Sequence, residues 1–463
     1  MLVGIEMPVL PIDSERYGSK EMKEIFEESS RLKYILAVEA AVAEAQAELG
    51  IIPADAGREI VSKANIKYVT LERCKEVEKK IAHEPANIVE VLVGVCEEHA
   101  KPWVHYGLTS NDLLDTATSL QIRDAMRIIE SRMREFTILL AEMARRYADL
   151  PAVGRTHGQH ASIISFGLKF AVWASEMLRH IERLNQLLER VLVCKTLGVV
   201  GTGSVMGEKA LDVQRRVAEK LALKPIDAAT QVVPRELHAE VVFFAAILAS
   251  TLDRIATEIR NLQRTEIGEV EEPFRPGQVG SSAVPVKRNP IRSEKVSSIA
   301  RLLRPLVQVA LDNIPLWHER DLTNSANERF IIPMSLILLD EALRTMTEVI
   351  KGLKVNEESI MANIQKTGGR IFSEFILDLM LKKGFPRISA YRIVQKASER
   401  TDVPFIDALL QIPEVARILS REEIEGVMRP DACLAASKLI INQVVDEVKR
   451  KLSIPGSSFP QTA

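Results

Sequence analysis

Residues 111–147 contain neither glycine nor proline. An unbroken run of that length has one compact solution, a very long helix. Two more runs follow: 166–196, interrupted only by Gly167 near its start, and 234–267, with Pro234 at a first-turn position and Gly268 at its end. At a rise of ~1.5 Å per residue each spans on the order of 45–55 Å. Propensity alone does not hold such helices, so they need continuous partners. In the third run Leu237, Val241, Phe244, Leu248, Leu252, Ile255, Ile259 and Leu262 recur at three or four, a buried seam. Val242, Phe243, Ala245, Ala246 and Ile247 make its other faces apolar too, and a helix apolar nearly all round is buried on several sides. A bundle extended by neighbouring subunits satisfies this; one large monomeric bundle is the alternative. Residues 289–312 and 331–353 supply further bundle helices.

The flanks are built from shorter pieces. Residues 1–17 read as irregular, with Pro8 and Pro11 opposing helix. Residues 19–49 read as one helix, Ser19 its N-cap and Gly50 its stop. Shorter helices are expected over 55–63, 70–78 and 87–99. Beyond Asn356 they are expected over 373–383, 389–399, 404–410, 421–427 and 435–452, and the tail from Ser453 is expected to fray. No alternation long enough to build a sheet is found. The fold class expected is all-α, in three helical domains: 1–108, a central long-helix bundle over 109–354, and 355–463.

Composition excludes several function classes. The chain has 463 residues and a net charge of −2, so no basic excess points to nucleic acid and any bound anion must be held by a few placed cations. Cys74, Cys96, Cys194 and Cys433 are scattered without a C-x-x-C pair, as expected of free thiols in a reducing cytoplasm. The first residues have neither a basic nor a sustained apolar segment, and no run approaches a membrane span.

Three polar strings interrupt the apolar pattern, each at the mouth of a long helix. The first, Trp103 to Asp112, places Thr109 and Ser110 before the longest helix, where hydroxyls cap a helix or help bind an anion. The second is Gly154-Arg155-Thr156-His157-Gly158-Gln159-His160-Ala161. Two histidines three apart would need further ligands to hold a metal, and no carboxylate or Cys motif lies near. An imidazole in a Gly-flanked polar break otherwise suits proton donation near neutral pH. The third runs from Gly277 to Pro290, GQVGSSAVPVKRNP. Its small residues let backbone N–H groups approach an anion, and Lys287 and Asn289 add a cation and a neutral donor suited to a carboxylate. Gly201-Thr202-Gly203-Ser204 lacks a following Gly-Lys pair and reads as a tight turn.

These strings, in this order on a long-helix framework, resemble the three signature regions of the fumarase/aspartase superfamily. The third matches GSSxMPxKxN, with Val284 where Met is usual. RTHGQHA, KPWVHYGLTSNDLLDTA, LQRTEIGEVEEPF and IPLWHERDLTNSANERF are similar to the adenylosuccinate lyase branch rather than to fumarases, aspartases or argininosuccinate lyases.

That resemblance implies a β-elimination releasing fumarate from adenylosuccinate and from its imidazole-carboxamide precursor, SAICAR, with no cofactor and no metal. It implies Ser281 as the base, with ground-state carboxylate binding as that serine's other role, and Ser282 beside it. His157 would be the general acid, with His105 and His83 as supporting hydrogen-bonders. The string after His83, Glu-Pro-Ala-Asn, departs from the family's HD followed by apolar residues. Thr109, Ser110, Thr156, Lys287 and Asn289 would hold the succinyl carboxylates and Gln231 would touch substrate. Arg16, Tyr17, Arg320, Ser325 and Arg329 would hold the phosphate. It also implies a cytoplasmic homotetramer whose sites combine three chains, since ends of rigid helices cannot all meet in one subunit. Another superfamily lyase, such as argininosuccinate lyase or a cycloisomerase, and a catalytically inactive structural relative are the alternatives.

Overall fold

The computed structural model describes residues 10–14, 16–275 and 277–452. The expectations for residues 1–9 and for the tail from 453 lie outside the described residues. A single 3-10 turn, Pro11–Asp13, stands where the sequence read as irregular. The helix expected over 19–49 is two helices, α1 (Lys20–Phe26) and α2 (Glu28–Glu48), because Glu27 between them is extended at ψ 148°. Ser19 caps α1, its hydroxyl accepting from the Met22 N–H at 3.3 Å. Gly50, in the left-handed region at φ 64°, turns the chain out of α2. Then come α3 (Ala54–Lys63), α4 (Leu71–Ile81) and α5 (Ala86–Val95).

The longest helix is α6 (Ser110–Arg146), of 37 residues. It is followed by β1 (Pro151–Thr156) and β2 (Gln159–Ser165), an antiparallel hairpin. The expectation that no sheet forms therefore needs correcting. The two-residue turn is His157-Gly158, both left-handed at φ 55° and 75°, the geometry that matches strand twist. The apolar residues the hairpin buries on one face are Val153 and Ile163, too few for its alternation to stand out in the sequence.

Next are α7 (Phe166–Val191), β3 (Val193–Cys194), α8 (Ala210–Leu221), β4 (Lys224–Pro225), α9 (Glu236–Leu262), β5 (Val270–Glu271), α10 (Ile291–Asp312), α11 (Ser325–Lys351) and β6 (Lys354–Val355). Gly167 is the close-approach point of α7 on α6, where a Cβ would sit 2.2 Å from the Ala144 carbonyl oxygen. Arg235 joins Asp115 and Glu328, so α6, α9 and α11 start at one end. Lys169 meets Glu258, and Arg304 meets Asp253, so α7 and α10 run back antiparallel to α9.

α9 is the central helix, packed on α7, α10 and α11. Val242, Ala245 and Ala246 are buried within the chain itself, while Phe243 stays 54% exposed. The all-round apolar pattern is thus met mostly by the chain's own helices, and the inference from it to neighbouring subunits is corrected accordingly.

The remaining helices are α12 (Glu357–Gln365), α13 (Ser373–Lys382), α14 (Arg387–Glu399), α15 (Phe405–Leu410), α16 (Pro413–Ala416), α17 (Arg421–Val427) and α18 (Ala435–Leu452). A separate small core centred on Ile376, Met380, Phe405, Leu409 and Ile424 holds α13 to α17 together. α18 returns to the bundle, where Ile441, Val445 and Val448 join the main core against α6 and α7. Among the described residues no helix is long and apolar enough to cross a membrane.

Candidate functional site

The sequence-derived site residues fall at two ends of the bundle. At the end where α6 starts, Thr109 is the N-cap and Ser110 the first residue of α6. The Thr109 N–H is taken by the Asp112 carboxylate at 2.7 Å, so the helix supplies its own capping anion. Asp112 also accepts from the Gly198 N–H at 3.0 Å and from Lys195 Nζ at 2.6 Å. Asp112 and Lys195 are both fully buried. Burial pushes the Asp112 carboxyl up, and Lys195, Thr109 and Gly198 only partly offset it.

His105 lies just before this cap, in the left-handed region at φ 61°. Its Nδ1 is 2.5 Å from Oε1 of Glu39 on α2, a carboxylate 2% exposed. Burial works to lower the His105 pKa, but Glu39, with Asp112 behind it, overcomes it and raises it. With Nδ1 engaged, Nε2 is the ring nitrogen left for a ligand.

Arg320 donates from Nη1 to Gln231 Oε1 at 2.7 Å. Ser325 opens α11 and Arg329 follows one turn later. Arg320, Ser325 and Arg329 line one cavity of about 140 Å³, together with Arg31, Asn111, Asp115, Asn324 and Glu328. Burial lowers the pKa of Arg320 and of Arg31. Burial works to raise Glu328, but His238 and Arg235 outweigh it and hold the carboxyl at about 2. His83 itself is exposed; its neighbour Glu84 reaches Arg329 at 3.1 Å and Arg31 at 3.5 Å.

The other end carries the hairpin and the Gly277–Pro290 loop. Thr156 and His157 are exposed at the hairpin tip, not at a helix mouth as the sequence suggested. Arg155 ties the hairpin to the buried Glu269, between α9 and the loop, at 2.5 Å. Among the described residues His160 Nδ1 is buried without a partner, and no three His, Cys, Asp or Glu side chains gather as metal ligands. In the loop, Ser281 Oγ accepts from two backbone amides, Val284 N at 3.2 Å and Ala283 N at 3.4 Å. Ser282 and Lys287 are exposed, and Asn289 closes the loop by donating to the Gly280 carbonyl at 3.0 Å. Glu272 accepts from the Arg292 and Ser293 N–H groups at 3.1 and 2.7 Å, so the start of α10 is already capped. Arg16 and Tyr17 also belong toward this end. Lys295, one turn into α10, lies 4.8 Å above the Tyr17 ring, and the Gly18 N–H donates to Glu341 at 3.0 Å.

The two groups cannot meet within one chain. The 37 residues of α6 separate Thr109 from the hairpin by roughly 55 Å. The 22 residues of α10 separate the loop from Asn313, which pairs with Asn327 beside Arg329, by roughly 33 Å. Tyr17 sits level with Glu341, some three turns or about 18 Å along α11 from Arg329. The five residues expected around one phosphate are thus split between the two groups.

Sequence reading missed Glu39, Arg31, Glu84, Lys195 and Lys295. Glu39 was findable: with Ile35, Val42 and Gln46 it lies on the buried stripe of α2, where a lone acid needs a partner. Lys195, just after the two-residue strand β3, leaves no pattern in the chain.

A family model described as Lyase matches residues 15–303, and one described as Adenylosuccinate lyase C-terminus matches residues 369–444. The chain is 45% identical to the adenylosuccinate lyase of Pyrococcus abyssi, covering 96% of this chain and 98% of that one. It is 43% identical to the adenylosuccinate lyase of Methanocaldococcus jannaschii, covering 97% and 98%. Among solved structures it is similar to a fumarate lyase from Mesorhizobium sp. BNC1, with TM-score 0.85, 31% identity and coverage of 93% and 98%. It is also similar to a 3-carboxy-cis,cis-muconate lactonizing enzyme from Pseudomonas putida, with TM-score 0.84, 28% identity and coverage of 95% and 98%.

Proposed function

The chain belongs to the adenylosuccinate lyase family, and from that premise we propose that it cleaves the C–N bond of adenylosuccinate to give AMP and fumarate, and that of SAICAR to give AICAR and fumarate. Ser281, as its oxyanion, takes a proton from the carbon beside a succinyl carboxylate. The electron pair left on carbon forms the fumarate double bond as the C–N bond breaks. His157 gives its proton to the departing nitrogen. The carbon acid is weak, so the dianion needs donors in place before it forms. The observation that carries this assignment is the position of Ser281 Oγ against two loop amides. Those amides, with Lys287 in the same loop, favour the serine oxyanion over the neutral hydroxyl. Thr109, Ser110, Thr156, Lys287 and Asn289 hold the carboxylates, and Gln231 and His105 steady the substrate. Arg16, Tyr17, Arg320, Ser325 and Arg329 hold the phosphate.

The two groups of residues come together only between chains. A homotetramer whose sites each draw on three chains does this, with the hairpin and loop of neighbours closing over the α6 start of another. The enzyme acts in the cytoplasm and requires no cofactor. Relatives in the wider fold include lactonizing enzymes, so the test is a substrate comparison. Purified protein is mixed with adenylosuccinate, SAICAR, argininosuccinate or 3-carboxy-cis,cis-muconate, and the ultraviolet change is followed. Turnover of the first two supports the reading. Turnover of either of the last two, with adenylosuccinate untouched, overturns it.

A further inference from the structure

The cavity lined by Arg31, Arg320 and Arg329 shares two of its walls with a second cavity. That one, of about 160 Å³, is lined by Arg31, Arg329, Glu84, Asn87 and residues of α2 and α4. Glu84 stands between the two, its carboxylate 3.1 Å from Arg329 and 3.5 Å from Arg31. The other acids at the first cavity are already matched. Asp115 pairs with Arg235 at 2.5 Å, and Glu328 with Arg235 at 3.0 Å. Among the described residues no carboxylate forms an ion pair with Arg320, whose neighbouring acids, Asp115 and Asp321, act on it without contact, and its buried Nε has no hydrogen-bond acceptor there. Three guanidinium groups thus converge, and the carboxylate that bridges two of them comes from the connection between α4 and α5, outside the bundle.

Resting on the lyase reading above, we propose that Glu84 is the resident counter-ion of the phosphate subsite. It holds Arg31 and Arg329 in the free protein and gives them up when a phosphate monoester enters. Arg31 is then a third guanidinium of the subsite beside Arg320 and Arg329. The fork geometry of arginine serves a carboxylate and a phosphate alike, so the same two side chains pass from one to the other without rebuilding the wall. A carboxylate left in place beside a dianionic phosphate would repel it, so Glu84 sets the affinity of the site for every phosphate-bearing ligand.

The test is Glu84→Gln, which keeps the shape and hydrogen-bonding capacity of the side chain and removes its charge. Binding of inorganic phosphate and of AMP to the intact oligomer is measured by calorimetry, with Arg31→Gln in parallel and thermal unfolding as a check on folding. Tightening of both ligands by roughly tenfold in Glu84→Gln, and weakening by a similar factor in Arg31→Gln, is expected when one charge near a dianion is removed. Unchanged or weaker phosphate binding in a folded Glu84→Gln overturns the proposal, because a carboxylate that merely clamps Arg329 predicts that result. Calorimetry reads binding without turnover, so failure of the lyase reading in the substrate comparison would appear separately.

Discussion

Lys195→Met is the perturbation whose cost the structure fixes most closely. In the native chain the ammonium group touches Asp112 Oδ1 at 2.6 Å and the Gly198 carbonyl at 3.1 Å, and both charged side chains are fully buried. Methionine fills most of the space but leaves the carboxylate with only the Thr109 and Gly198 N–H groups. Removing one partner of a buried pair costs about 3–5 kcal/mol, well above the ~1 kcal/mol of a lost cap alone. The cost falls on the Thr109–Ser110 turn, so substrate KM should rise along with it. The deficit should depend on pH in a definite direction. Burial already holds the Asp112 pKa above its ordinary value in the folded chain, and loss of Lys195 raises it further. From the ordinary carboxylate value up to that raised value, the folded chain binds more protons than the unfolded one. Stability therefore falls as pH rises through that window, and the deficit is full above it and relieved toward acid. Urea unfolding of wild type, Lys195→Met, Asp112→Asn and the double variant at two pH values gives the coupling directly. A coupling below about 1 kcal/mol, or a deficit that grows toward acid pH, would refute the reasoning.

Other expectations follow from neighbouring groups. Glu39→Gln removes the carboxylate that raises the His105 pKa, so the limb of the kcat/KM profile that His105 controls should move to lower pH while Glu39→Asp restores part of the shift. An unmoved profile would leave Glu39 a packing residue. Glu328, held at about 2 against an ordinary 4.5, contributes stability that is fully present above the ordinary value and is lost as pH falls through the folded one. The shift corresponds to on the order of 3 kcal/mol. Glu328→Gln should flatten that part of the acid unfolding curve, and an unchanged curve would contradict it.

Helices were legible where one signal dominated. Residues 111–147 had no competing break, and α6 ends within a residue of that run. Ser19 and Gly50 marked their ends because a cap and a left-handed turn are local chemistry. The break at Glu27 carries no Gly or Pro and was invisible. The hairpin was missed because its turn is His-Gly rather than a common Asn-Gly or Asp-Gly pair, and because its partners lie in α12 to α18. The polar strings marked the polar ends of the bundle, with His157 exposed at the hairpin tip and Ser281 half-buried in the loop. They could not name Glu39, Lys195 or Glu84, whose roles depend on a partner distant in the chain. The apolar excess of α9 was read correctly as burial but misassigned to neighbours, since periodicity tells that a face is covered and not by which chain.

The central claim is that one chain carries two incomplete halves of a site, at opposite ends of a bundle about 55 Å long. Subunit complementation tests it. His157→Ala, at the hairpin end, and Arg320→Ala, at the α6 start, are each purified inactive, then unfolded together, refolded and assayed with adenylosuccinate. Sites that join the two ends from different chains predict recovered turnover in the mixture, since some sites then draw both intact residues from different subunits. Mixed oligomers, verified by tagging one variant, that remain as inactive as either parent would contradict it.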